Sequence, residues 1–241
     1  EILIGLVGSE MCIRDRSISA IIVCGGSSSR MNGVNKLLLP LGNTNVAGRS
    51  MLAFEQCPEV GDIVVVCRER DRKELENTAE KLGIAKLRGF AEGGGTRQES
   101  VFSGLKKISP ETSLIAVHDG ARPLVKPEQI VRTARDAEVF GAAVLGVPVK
   151  DTIKVVNDGL ITDTPYRPSL YITQTPQIFK RRIYFEAVDF ALEHGLDFTD
   201  DCQLAEAIGV KVCMTEGGYE NIKITTPEDI KIANLLLEEQ I

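Results

Sequence analysis

The sequence predicts a doubly wound α/β fold on a mostly parallel sheet, and three observations predict it. Strand-like apolar runs alternate with helix-length segments from residue 20 to residue 149. Loops at 25–36, 91–97 and 119–123 each follow a strand; such a sheet gathers them beyond its carboxyl edge, where ligands bind. The alternation then breaks at 150–174, where Asn157-Asp158-Gly159 between two short β-type runs marks an inserted hairpin.

Each element has its own justification. Residues 20–24 are five consecutive apolar residues, mostly β-branched, the pattern of a strand covered on both faces. A helix follows over 45–56, turning Met51, Leu52 and Phe54 to the core. Next come a buried strand over 62–67, a charged helix over 71–82, a strand over 85–90 and a helix over 98–108. A strand over 114–118 leads to a helix opened by Pro127 and closed at Gly141, and 142–149 is again a strand. The hairpin runs 152–156 and 160–164 cannot bury both faces against their own body. They are expected to form an arm, spanning about 150–174, that pairs two copies of the chain. Helices over 183–193 and 201–208, strands over 210–215 and 221–225, and a helix over 227–239 complete the domain. Thr226 and Asp229 stand at the start of that last helix.

Composition narrows the function. The chain of 241 residues carries a net charge of −6, which argues against a nucleic-acid binder. Its 43% hydrophobic and 26% charged residues are close to the soluble globular average. Six cysteines form no Cys-x-x-Cys pair and only two histidines are present, so free thiols in a reducing cytoplasm are expected, and no protein metal site. Residues 1–16 differ from the rest. Their apolar run is too short to cross a membrane, and Arg14 and Arg16 follow it, the reverse of a signal peptide. We expect them to be a disordered prefix outside a single domain over 17–241, with an extra edge strand as the alternative.

After the first strand come Gly25, Gly26, Ser27, Ser28 and Ser29, then Arg30 and Lys36. Small residues let backbone N–H groups approach an anion closely, and two cations beside them suit a triphosphate. The loop is not a Walker motif, because Leu37 follows Lys36, and it lacks the Gly-x-Gly-x-x-Gly of dinucleotide folds. A plain turn with two solvated basic residues is the simpler reading of this stretch alone.

Other motifs follow in order: Gly93-Gly94 with Arg97, Ser100 and Val101; His118-Asp119-Gly120-Ala121-Arg122-Pro123; Lys150-Asp151-Thr152-Ile153-Lys154; Thr175-Pro176-Gln177 with Phe179; Thr199-Asp200-Asp201; and Asn221-Ile222-Lys223-Ile224-Thr225 with Pro227-Glu228-Asp229. With the loop at 24–36, they resemble the 2-C-methyl-D-erythritol 4-phosphate cytidylyltransferase family of the non-mevalonate isoprenoid pathway, over nearly the whole chain from about Ser17.

The resemblance implies a Rossmann-like cytoplasmic homodimer that transfers CMP from CTP to methylerythritol phosphate, releasing pyrophosphate. It implies Mg²⁺ held mainly by the CTP phosphates. Arg30 and Lys36 would stabilise the transition state; Arg167, supplied across the dimer by the arm, and Lys223 would hold the attacking phosphate. Gly25, Gly26 and Ser27 match the triphosphate loop, and Gly93, Gly94, Arg97 and Ser100 the turn that meets the nucleotide. Asp119 and Arg122 match residues near the ribose and the erythritol hydroxyls, Thr152 and Thr175 the substrate-phosphate pocket. Asp119 is alternatively a turn cap, and His118 a structural histidine. Asp200 and Asp201 are either a metal pair or, since they open a helix, capping residues.

The sequence departs from the family pattern at Cys24, Ser28, Leu37 and Gly120. A ribitol-5-phosphate cytidylyltransferase and an inactive CTP-binding module are the rival readings. A dinucleotide-dependent oxidoreductase is weakened by the missing fingerprint.

Overall fold

A computed structural model describes residues 17–25 and 35–238. Residues 1–16, and with them the prefix, lie outside the described residues, as do Gly26, Ser27 and Arg30. In chain order, β1 (Ile18–Val23) is followed by a 3-10 turn at Lys36–Leu38, a small ladder of β2 (Pro40–Leu41) and β3 (Thr44–Asn45), and α1 (Val46–Glu55). Then come β4 (Val60–Cys67), α2 (Glu69–Leu82), β5 (Leu87–Glu92), α3 (Arg97–Leu105), β6 (Leu114–Asp119), α4 (Pro127–Phe140) and β7 (Ala142–Pro148). The arm is β8 (Val155–Asn157) and β9 (Leu160–Asp163). It leads to β10 (Tyr171–Lys180), α5 (Arg181–His194), α6 (Asp201–Ala207), β11 (Cys213–Glu216) and α7 (Pro227–Glu238).

Seven strands form one sheet in the order β11-β7-β10-β6-β1-β4-β5. The strand period of two distributes the apolar residues to both faces. Ile18, Ala20, Ile22, Ile63 and Val65 join a core shared with α1, α2, α4 and α7. Ile21, Val64, Val66 and Val117 join a second core shared with α3, α5 and α6. This two-sided covering is the expected doubly wound α/β arrangement.

Helix ends follow their capping residues. Asn45 accepts from the Gly48 N–H at the start of α1, and Thr96 with Glu99 forms a reciprocal capping box on α3. The predicted hairpin turn is present: Asp158 and Gly159 both adopt positive φ, 49° and 79°, matching the right-handed twist of the two strands.

Two features differ from expectation. β10 is an unexpected strand that lies antiparallel to both β6 and β7, in the middle of the sheet. Its segment Thr173-Gln174-Thr175-Pro176-Gln177 has no apolar run to mark it, yet Gln174, Thr175 and Gln177 are all buried. The expected strand over 221–225 is instead an extended segment outside the sheet, tied by the Ile224 N–H to the Ala121 carbonyl. Its apolar alternation reflects Ile222 and Ile224 packing onto the core without strand pairing.

Candidate active site

Strand register brings the loops together. Val23 on β1 lies opposite both Val66 on β4 and Asp119 on β6, so these strands end level with one another. The Gly93 N–H bonds to the Cys67 carbonyl, which turns the loop after β5 back across the end of β4. There Gly25 and Gly93 are in contact: a Cβ on Gly25 would stand 3.8 Å from the Gly93 Cα and 3.5 Å from Ser100 Oγ. Ser100 Oγ accepts from the Gly94 N–H at 3.0 Å and donates to the Thr96 carbonyl at 2.9 Å, so it shapes this turn. Gly94 is required sterically, because a Cβ there would stand 2.4 Å from the Glu99 Cβ.

Asp119, at the end of β6, is the centre of the charge cluster. Lys223 Nζ reaches its Oδ2 at 2.7 Å, Arg97 Nε its Oδ1 at 3.6 Å, and Arg122 Nε its Oδ2 at 4.0 Å. Burial pushes the carboxyl up, but Lys223, then Arg97 and Arg122, hold it well below the usual carboxylate range. It is therefore an anion at any physiological pH. Three cations from three separate segments, the start of α3, the turn after β6 and the stretch before α7, thus meet on one carboxylate.

The Asp119 backbone is supported from β10. The Asp119 N–H donates to Thr175 Oγ1 at 3.0 Å. His118 Nε2 lies 3.1 Å from the Arg122 carbonyl, which can only accept, so the ring proton sits on Nε2. Nδ1 then accepts the Thr175 hydroxyl proton at 3.0 Å. Burial lowers the pKa of His118 to about 4, so the imidazole is neutral and fully engaged. Histidine as a structural residue is what the sequence suggested; Thr175, by contrast, spends its hydroxyl inside the protein.

Arg122 is similarly engaged. Its terminal nitrogens donate to the Asn221 carbonyl at 2.7 Å and the Thr173 carbonyl at 3.3 Å, fastening the Lys223 segment to β10. Its buried Nε has no hydrogen-bond partner and faces Asp119. Burial lowers the pKa of Arg122, with Asp119 opposing the shift.

Asp200 takes the capping role that the sequence offered, whereas the Asp201 side chain caps nothing and is instead a partner of Arg97. Asp200 is the cap of α6, accepting from the Gln203 N–H. The Asp201 side chain is buried and binds Arg97 at 2.5 Å and the Tyr184 hydroxyl. Sequence reasoning missed this pairing of Arg97, and only the polarity of a residue at a buried helix position signals it.

The remaining predicted residues lie on other segments. Lys36 opens the 3-10 turn after the loop that follows β1, with Asn35 as its cap. Arg167 and exposed Thr152 belong to the arm region, where Arg167 donates to the Lys150 carbonyl at 3.2 Å. Among the described residues no hydrogen bond or ion pair joins either to the Asp119 cluster. No set of three or more His, Cys, Asp or Glu among those residues is placed to hold a metal ion.

A family model described as IspD, 2-C-methyl-D-erythritol 4-phosphate cytidylyltransferase, matches residues 18–239. The chain belongs to this family. It is 42% identical over 226 residues to the 2-C-methyl-D-erythritol 4-phosphate cytidylyltransferase of Caldanaerobacter subterraneus subsp. tengcongensis, covering 92% of this chain and 100% of that protein. The chloroplastic enzyme of Oryza sativa is 38% identical, over 95% of this chain and 77% of its own. Among solved structures, the 4-diphosphocytidyl-2C-methyl-D-erythritol synthase of Anaerococcus prevotii superposes with a TM-score of 0.83 at 32% identity, covering 94% of this chain and 98% of that one. This cytidylyltransferase is thus an α/β nucleotidyltransferase. No helix among its described residues is long and apolar enough to cross a membrane.

Proposed function

We propose that this enzyme transfers the cytidylyl group of CTP to 2-C-methyl-D-erythritol 4-phosphate, giving 4-diphosphocytidyl-2-C-methyl-D-erythritol and pyrophosphate, in the non-mevalonate route to isoprenoid precursors. The observation that carries the reading is the gathering of Lys223, Arg97 and Arg122 on Asp119, beside the touching glycine loops, in a chain of this family.

The chemistry asks for positioning and charge. A phosphate monoester is ionised at neutral pH, so it attacks the α-phosphorus without a general base, and the engaged, neutral His118 is not needed as one. The obstacle is the approach of two polyanions. Lys223, half exposed on the rim of the cluster, holds the attacking phosphate. Arg30 and Lys36 stabilise charge on the transferring phosphoryl and the leaving pyrophosphate, where fixed cations in a partly dry site act most strongly. Further neutralisation of the triphosphate charge would come from Mg²⁺, which would be held mainly by the CTP phosphates and not by protein side chains.

The arm supports a homodimer. Val156, Leu160, Ile161 and Tyr166 are 56%, 72%, 63% and 76% exposed, an apolar surface that a second copy covers in this reading. Arg167 then enters the partner's site. The enzyme works in the cytoplasm.

Pyrophosphate release from CTP, Mg²⁺ and methylerythritol phosphate tests the proposal, with ribitol 5-phosphate as the competing acceptor. Lys36→Ala is expected to lower turnover by roughly 10²–10³-fold with little change in folding stability. Faster reaction with ribitol 5-phosphate would overturn the choice of acceptor, and full activity of Lys36→Ala would overturn the role of that charge.

A further inference from the structure

We infer that Asp201 is a positioning residue of the nucleotide site, acting through Arg97. This rests on the proposed function and on the place of Arg97 in the turn that the family resemblance assigns to the nucleotide. The carboxylate is 1% exposed and has a fixed surround: one oxygen takes the Arg97 guanidinium at 2.5 Å, the other the Tyr184 hydroxyl. The Asp201 N–H donates to Gln177 Oε1 at 2.9 Å, which ties α6 to β10. Tyr184 is itself held, fully buried and stacked on Phe179 with ring centroids 4.7 Å apart.

The consequence lies in how Arg97 is shared. It gives a terminal nitrogen to Asp201 and turns its Nε to Asp119 Oδ1. Lys223 and Arg122 approach the other oxygen, Oδ2. Burial opposes a charge on Arg97, but Asp201 and then Asp119 more than compensate and raise its pKa. Without the Asp201 charge, Asp119 would be the nearest counter-charge to Arg97. The guanidinium would then swing toward Asp119 and compete with Lys223 for it. Asp201 prevents that competition and keeps both cations at their stations.

Asp201→Asn keeps the shape and removes the charge. In the full chain, it is expected to lower kcat/KM for CTP by about 10- to 100-fold while circular dichroism reports an intact fold. The decisive comparison is Arg97→Ala with and without Asp201→Asn. If Asp201 acts through Arg97, the double variant is within about threefold of Arg97→Ala alone. Losses that multiply, or an Asp201→Asn enzyme as active as its parent, would overturn the inference. Should Asp201→Asn not fold, Tyr184→Phe takes its place: a loss of about 3- to 10-fold is expected, and it should vanish in the Arg97→Ala background. An unchanged rate, or a loss that persists in that background, overturns it. A parent protein that neither turns over nor binds CTP removes both readings, whereas an active parent indifferent to Asp201 removes only this one.

Discussion

Lowering the pH from 7.5 to 5 is expected to weaken the fold through His118. The imidazole has a pKa near 4 in the folded chain, against 6.5 in its absence, because burial disfavours its charged form. Between these values the unfolded chain binds a proton that the folded chain refuses, so stability is complete above about pH 6.5 and falls as the pH drops toward 4. At pH 5 the difference in proton uptake is worth about 2 kcal/mol, a sizeable share of a typical domain's stability. The assay is urea unfolding at both pH values. Since the chain has no Trp, far-UV circular dichroism is the appropriate signal. His118→Asn removes the titrating group, and its pH-induced loss is expected to be smaller than the parent's by about 2 kcal/mol. Acidic groups such as Asp119 and Asp229, whose pKa values are lowered in the fold, contribute to both proteins and cancel in the comparison. Equal losses in parent and variant would refute the assignment of a buried, neutral imidazole.

Two further outcomes can be stated. Gly120→Ala would place a Cβ 2.5 Å from Cys24 Sγ and 3.1 Å from the Val23 carbonyl, and is expected to cost about 1–3 kcal/mol in urea unfolding. Cys24→Ala should recover much of that loss in the double variant; simple additivity of the two changes would show that they do not share this space. Leu160→Glu combined with Ile161→Lys is expected to turn a dimer into a monomer in sedimentation and to reduce turnover at least about tenfold, and an unaltered, active dimer would exclude pairing through the arm.

Much of the fold was legible because the buried strands have little choice. Runs such as Ile63-Val64-Val65-Val66 offer apolar side chains to both faces and can sit only inside a covered sheet. The glycine loops were legible for a related reason, as Gly94 leaves no room for any other residue. β10 was not legible, because its central residues are polar and serve the site: Thr175 supports Asp119 and Gln177 supports Asp201. The Lys223 segment shows the opposite error, since Ile222 and Ile224 carry a strand's alternation while the backbone finds no strand partner.

Two departures from the family pattern acquire reasons. Leu37 is buried in the core, so a polar contact was never its role here, and Gly120 yields the volume that Cys24 occupies. The charge partners were harder to foresee. Nothing in the spacing of Arg97, Asp119, Asp201 and Lys223 announces that they meet, because their proximity is created by the order of the strands.

That strand order also governs how the chain assembles on emerging from the ribosome. β6 and β7 are both made before β10, yet neither bonds to the other, and the strand that joins them follows the whole arm. Until Lys180 has been added, β6 shows one bare margin and β7 has no hydrogen-bonded neighbour at all. The nascent protein must therefore carry three open strand margins, one on β6 and two on β7, through the synthesis of an arm that exposes Val156, Leu160 and Ile161, and this is the interval at which a chaperone would do the most for it.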